Sequence, residues 1–173
     1  MQINKNKKMK YYSIDYNINR GIEITPLQRD VSPCEKPDYY KGKKFKIFNR
    51  KWVPDIFGMD CIGYFVVSEK FKKALEENNI TGYKLIPIEI EGLEGKYYIM
   101  VETNRAKNLT PKDDIDNLYV DLNDLKKADF SRVENSRVLV ASEKMVNALR
   151  KAKVKNLDID PLEEVDNNMV VLR

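Results

Sequence analysis

Between Tyr64 and Glu91 the spacing of apolar residues changes twice, and the changes predict a strand, a helix and a second strand in succession. Tyr64 to Val67 are aromatic and β-branched without interruption, the composition of a short buried strand. Ser68 then offers its hydroxyl to an unsatisfied helical amide, and Glu69 sets negative charge in the first turn, so a helix starts there. Phe71, Ala74 and Leu75 share one face of that helix, and Glu69 and Lys73 stand as an i,i+4 pair on another. Asn78, Asn79 and Gly82 end it, and an apolar run rich in isoleucine resumes from Tyr83 to Ile90, up to Gly92.

The same order of signals returns from Val138 to Val165. Aligned without a gap, Ser68-Glu69-Lys70 falls on Ser142-Glu143-Lys144, Ala74-Leu75 on Ala148-Leu149, Ile80 on Val154, Leu85 on Ile159 and Pro87 on Pro161. The alignment predicts two copies of one unit, with helices Glu69 to Glu77 and Glu143 to Ala152. The competing reading is a pair of unrelated amphipathic helices that share a capping residue and an apolar face. Proline lacks the donor that a central ladder needs, which places Pro87 and Pro161 at an edge, a strand end or a bulge.

Elsewhere the pattern is mostly of strands. Gly92 and Gly95 bound a short turn, so Tyr83 to Ile90 and Lys96 to Glu102 are predicted to pair as an antiparallel hairpin. Leu118, Val120 and Leu122 alternate with Tyr119 and Asp121 as another strand, and Tyr11 to Tyr16 and Lys44 to Phe48 suit strands between turn-rich segments. Trp52 is expected to pack at the junction before the first unit. The fold class that follows is α+β, one domain over residues 1–173 with a mixed or mainly antiparallel sheet. Residues 1–58 form a basic strand and loop part, and residues 59–173 hold the two similar strand-helix-strand units.

Charge changes this picture by dividing the chain. Residues 1–52 carry thirteen Lys and Arg against five Asp and Glu, the remainder eighteen against twenty-two, within a net charge of +4. The basic part includes Lys41-Gly42-Lys43-Lys44-Phe45-Lys46 with Tyr39, Tyr40 and Phe48 around it, residues that could meet phosphates and stack on bases. The plainer reading is a half-solvated strand with Phe45 and Ile47 inward and Lys44 and Lys46 outward.

The chain has no histidine and two cysteines, Cys34 and Cys61. Histidine ligands, a histidine base for a Ser or Cys nucleophile and a closed Cys/His zinc site are therefore excluded, and both thiols read as reduced and inert. Asp113, Asp114 and Asp116 follow Pro111 in a loop, but the glycine and terminal glutamate of a calcium loop are missing, so a solvated acidic loop is the reading. No glycine-rich phosphate loop or dinucleotide fingerprint occurs, and no catalytic residue, metal or cofactor is assigned. The basic N-terminus lacks the apolar stretch of a signal peptide, and no segment has the apolar length of a membrane span; a cytoplasmic protein is expected.

Trp52-Val53-Pro54-Asp55, then Val66-Val67-Ser68-Glu69-Lys70-Phe71, Ala74-Leu75-Glu76, Thr81-Gly82, Leu85-Ile86-Pro87-Ile88 and Tyr97-Tyr98, resemble the bacterial immunity-protein family of polymorphic toxin systems typified by a Myxococcus protein domain. The resemblance spans roughly Trp52 to Val165 and carries structural residues only. It implies a stoichiometric inhibitor that binds and neutralises a cognate toxin over about 800 Å² per side. The candidate contact residues are acidic, Asp113, Asp114 and Asp116 with Glu89, Glu91 and Glu94, and such a face would suit a basic nuclease toxin. Two other classes stay open: a nucleic-acid-binding module using Tyr39 to Phe48, and an enzyme working through two converging carboxylates.

Overall fold

The computed structural model describes residues 9–17, 23–27, 37–49, 52–59, 64–166 and 168–173. Cys34 and Cys61 lie outside the described residues. The first half of the chain runs through β1 (Tyr11–Tyr16), β2 (Glu23–Pro26), a 3-10 turn (Pro37–Tyr40), β3 (Lys44–Asn49), β4 (Ile56–Met59), β5 (Phe65–Ser68), α1 (Glu69–Glu77) and β6 (Tyr83–Glu91). The second runs through β7 (Tyr97–Glu102), β8 (Arg105–Ala106), β9 (Leu118–Asp121), α2 (Leu122–Leu125), β10 (Phe130–Val133), β11 (Leu139–Ser142), α3 (Glu143–Lys151), β12 (Leu157–Pro161), β13 (Glu163–Asp166) and β14 (Met169–Leu172). The fold is α+β with mixed, mainly antiparallel sheets. The parallel pairs among the described residues are β2 with β4, β3 with β6 and β8 with β10.

Six strands close a barrel in the order β2-β3-β6-β7-β5-β4. The remaining strands form a five-stranded sheet, β12-β1-β11-β10-β8, and a three-stranded one, β13-β14-β9. These two sheets meet at an Asn108–Val120 bridge and at Leu162, which separates β12 from β13. The barrel encloses Ile24, Phe45, Phe57, Ile86 and Ile99, and the second pair of sheets encloses Tyr11, Val120, Leu125, Val140 and Val170. A third cluster lies between the halves and takes Phe71 and Leu75 from α1, Met145 and Leu149 from α3, and Ile14, Ile56, Met100 and Leu139 from strands.

The two predicted strand-helix-strand units are present and share their caps. Ser68 and Ser142 are the N-caps of α1 and α3, accepting from the amides of Phe71 and Met145. Both helices end in a residue with positive φ, Asn79 at 48° and Lys153 at 53°. The next amide reaches back in each case, Ile80 to the Leu75 carbonyl at 3.0 Å and Val154 to the Leu149 carbonyl at 3.1 Å, the bond of a Schellman cap. Pro87 lies on β6 outside its Glu89–Glu91 register with β3, and Pro161 ends β12 at the edge of its sheet, as the missing donor requires.

A carboxylate that lies thirteen positions before each cap serine locks the two units together. The Asp129 carboxylate accepts from the Ser142 hydroxyl at 2.7 Å, Lys144 Nζ at 3.2 Å, and the amide and hydroxyl of Thr81 at 3.1 and 3.2 Å. The Asp55 carboxylate accepts from the Ser68 hydroxyl at 2.9 Å, Lys70 Nζ at 2.9 Å and the Lys155 amide at 2.9 Å. Each lysine also crosses to the positive-φ residue ending the other half's helix, Lys70 to the Lys153 carbonyl at 2.6 Å and Lys144 to the Asn79 carbonyl at 2.7 Å.

The first strand of each half lies in the other half's sheet. β7 sits between β5 and β6, with Tyr97 opposite Ser68 and Tyr98 opposite Pro87. β1 sits between β11 and β12, with Tyr11 opposite Ser142 and Tyr12 opposite Pro161. The match extends to the backbone, where the Glu69 amide donates to the Lys96 carbonyl at 3.1 Å and the Glu143 amide to the Lys10 carbonyl at 2.8 Å. Lys10-Tyr11-Tyr12 and Lys96-Tyr97-Tyr98 are thus equivalent, a second repeat element. At the far ends of these strands Tyr16 fills the space over Gly58, where any Cβ would come within 1.8 Å of its hydroxyl, and Glu102 instead forms a two-point ion pair with Arg132 at 2.7 and 3.2 Å.

Two local expectations are corrected. Trp52 is 41% exposed, its ring lying under Lys155 Nζ at 5.8 Å, because the inter-half core is already filled by the helices and strands around Ile56. Glu69 accepts from the Tyr98 hydroxyl at 2.5 Å, and the i,i+4 ion pair on α1 is Lys72 with Glu76 at 3.8 Å.

Leu75 and Leu149 are both fully buried between the halves. Leu75→Ala and Leu149→Ala are each expected to cost about 2 to 5 kcal/mol, measured by urea unfolding. A loss below about 0.5 kcal/mol at either site would contradict their place in that core.

Candidate partner-binding loop

Residues 107–117 connect β8 to β9, and local bonds close the two sides of the connection. The Leu109 amide donates to the Tyr119 carbonyl at 2.8 Å, the Tyr119 amide to Thr110 Oγ1 at 3.0 Å, and the Thr110 amide to Asn108 Oδ1 at 3.0 Å. Asp114 shapes the tip. Its amide donates to the Pro111 carbonyl at 3.1 Å, and its Oδ1 accepts from the amides of Asp116 and Asn117 at 3.2 and 3.1 Å and from Asn117 Nδ2 at 3.1 Å. These bonds, that from the Asn117 side chain foremost, hold the Asp114 carboxyl below the usual range.

Of the three aspartates singled out in sequence, Asp114 therefore works inside the loop, while Asp113 and Asp116 are exposed. Between them Ile115 is 91% exposed, the most exposed large apolar side chain among the described residues. An open groove of about 430 Å³ runs beside the tip, with Asn135, Leu172 and Arg173 among its walls. In the sequence Ile115 is a lone apolar residue among carboxylates, with no periodicity to mark it as exposed.

The six acidic candidates do not form one face. Glu89 and Glu91 are on the outside of the closed barrel, alternating with buried Ile88 and Ile90, and register opposite Lys44 and Lys46 of β3. Lys44 and Glu89 pair at 3.6 Å, both well exposed, a contact of little energetic weight. Glu94 is in the β6–β7 turn, its carbonyl accepting from the Tyr97 hydroxyl at 3.5 Å. The lysines of β3 thus alternate as the plainer reading has them, and they lie beside acids; Phe45 is fully buried and Tyr40 nearly so, and neither offers a ring to a base.

A further acidic group was legible in sequence and overlooked: residues 158–166 hold Asp158, Asp160, Glu163, Glu164 and Asp166 without a basic residue. Asp158 registers opposite Asp15 and Asp160 opposite Ser13 across β1 and β12. The equivalent positions in the barrel are Lys84 opposite Val101 and Ile86 opposite Ile99, three of them apolar and buried. Asp15 keeps an exposed side chain, but partial desolvation by its neighbours pushes its carboxyl up, the Tyr16 amide draws it back, and Asp158 adds to the rise.

The other displaced carboxyls belong to structural contacts. Burial alone would raise Asp55 and Asp129, but the hydroxyl, ammonium and amide donors of the interlock hold both below the usual range. Asp124 is lowered by Lys127 at 2.5 Å and by the Lys107 amide at 3.1 Å, bonds that tie α2 to the start of the loop. Among the described residues no helix is long and apolar enough to cross a membrane. Comparison with family models and with curated proteins returned no match for the chain.

The shifts have opposite consequences for stability. A depressed folded value, as at Asp129, contributes stability above the unfolded value near 3.9 that is lost as pH falls through the folded one. Asp129→Asn is expected to cost about 1.5 to 3 kcal/mol at pH 7 and progressively less towards pH 3. A raised folded value, as at Asp15, contributes stability in acid that is lost as pH rises; because water screens this exposed side chain, Asp15→Asn should raise Tm only slightly at pH 7 and leave it unchanged near pH 3. Urea and thermal unfolding across pH 3–7 check both; the same sign for the two variants at pH 7 would refute the assignment.

Proposed function

We propose that this protein is a stoichiometric inhibitor, an immunity protein that occupies the surface of a cognate bacterial toxin, and that Asp113, Ile115 and Asp116 are its central contacts. Its action is binding without chemistry, in the cytoplasm of the producing cell. The observation that carries the reading is Ile115, 91% exposed on a loop fixed by its own hydrogen bonds. An apolar side chain in a charged rim is the usual anatomy of a protein interface, and a rigid loop loses little conformational entropy on docking. Asp113 and Asp116 suit a basic partner surface, whose approach they would speed.

The loop alone is smaller than the roughly 800 Å² per side of a standard interface. The groove wall beside it, with Leu172 and Arg173, supplies the adjoining surface. The Tyr39 to Phe48 stretch gives less support to a nucleic-acid module, since Lys44 and Lys46 stand beside Glu89 and Glu91.

Co-expression with the toxin encoded beside the gene, followed by pull-down and a growth assay, tests the class: a complex and protection are expected, and neither being found would overturn it. For the site, Ile115→Ala should speed dissociation about 30-fold, the equivalent of a hot-spot loss of about 2 kcal/mol. Reversing Asp113 and Asp116 to lysine should slow association and weaken its salt dependence. Wild-type kinetics in both variants would move the contact surface elsewhere.

A further inference from the structure

We propose that each half of this chain is a recognition surface for the other, built to accept one donated strand, and that the halves hold together as a 1:1 pair of separate polypeptides when the link between them is cut. β7 belongs by repeat to the second half, yet it fills the slot between β5 and β6 and so closes the barrel. β1 belongs to the first half and fills the slot between β11 and β12. Without its donor each half would leave two interior strand edges unpaired and the walls of its core open, a state that strongly favours pairing with a new strand.

The donated strands share a chemistry. Each begins Lys-Tyr-Tyr, gives the lysine carbonyl to the first helical amide of the acceptor half, and buries an apolar residue, Ile14 or Met100, in the cluster between the halves. Exchange is reciprocal, so neither strand can leave without undoing the other's barrel or sheet. The interlock bonds add to this, since Lys70, Lys144, Thr81 and Lys155 all reach across from one half to the other. Covalently, the halves are joined through residues 92–95, the turn between β6 and β7. Gly92, Glu94 and Gly95 are exposed there, and both glycines have positive φ, 79° and 111°. A Cβ at Gly92 would meet no atom within 4 Å. Leu93 packs against the barrel core, so the exposed Glu94–Gly95 end of the turn is the place where insertion and cutting disturb the packing least.

The test uses the full chain with a site-specific protease sequence inserted between Glu94 and Gly95, which keeps Leu93 against the barrel core. After cleavage the two fragments are expected to co-elute on native size exclusion at the mass of the intact protein and to keep its near-ultraviolet circular dichroism. Amide exchange should show β1 and β7 still protected. Separated in urea and returned singly to buffer, each fragment should lose the near-ultraviolet signal, and mixing them should restore it at a 1:1 endpoint. Fragments that separate on native elution after cleavage, or single fragments that refold as stable monomers, would overturn the proposal.

Discussion

Two carboxylates in the crevice between α1 and α3, Asp55 and Asp129, set the geometry on which both halves depend. Each has only 14% of its side chain exposed. A carboxylate in such a place is costly unless its lone pairs are filled, and here the serine and lysine donors also perform a second structural task. The Ser142 hydroxyl donates to Asp129 while accepting the Met145 amide that starts α3, and Ser68 does the same between Asp55 and Phe71. A hydroxyl can give and take at once, whereas an ionised carboxylate in its place could only accept and would lose the bond to the aspartate, and alanine would lose both. The lysine two positions on fixes the end of the opposite helix. The start of one helix is thereby tied to the end of the other, twice, around a dry core of Phe71, Leu75, Met145 and Leu149.

Strand exchange extends this constraint to the sheets. Because β1 and β7 are central strands in the sheets they join, the register that aligns the helices must also align Tyr11 with Ser142 and Tyr97 with Ser68. The halves have nonetheless diverged where closure is concerned. The first keeps Ile86, Ile99 and Val101 on one wall and closes through β3 against β6. The second carries Asp160, Ser13 and Asp15 on the matching wall, and β14 is interposed between β13 and β9. An apolar wall permits a sealed barrel; a wall of carboxylates faces water, and an added strand supplies Val170 to the core that remains.

Local signals made the strand-helix-strand units legible, because cap serine, helical face and terminal proline all fall within a single ungapped alignment. The same alignment also matches Asp55 with Asp129, but the partners of these carboxylates come from a distant strand and helix end, which periodicity cannot indicate. The Lys-Tyr-Tyr repeat escaped notice for another reason: the connection after each first strand differs in length, so its spacing departs from that of the helices. Trp52 was placed inside on the strength of its size, yet the junction it precedes was already filled by shorter residues. Among the candidate contacts, the loop Asp113 to Asp116 was found from its charge, while its apolar tip, Ile115, is visible only once the surrounding bonds are known.

Duplication also separates scaffold from the regions free to vary. Residues that recur in both halves, the aspartate, serine and lysine of the interlock, the Lys-Tyr-Tyr strand starts and the buried leucines, are committed to joining the halves, and changing any of them disturbs both. The connection between the second and third strands carries no such obligation. In the second half it becomes the loop 107–117, with legs held by Asn108 and Thr110 and a tip turned by Asp114, and no bond of the interlock passes through it. A loop that is anchored at its base, rigid in itself and outside the interlock can change the outward residues of its tip at little cost to folding. Outward residues are easiest to alter at such a place, and this is the structural ground for the contact proposed at Ile115 rather than on the strands or helices that hold the halves together.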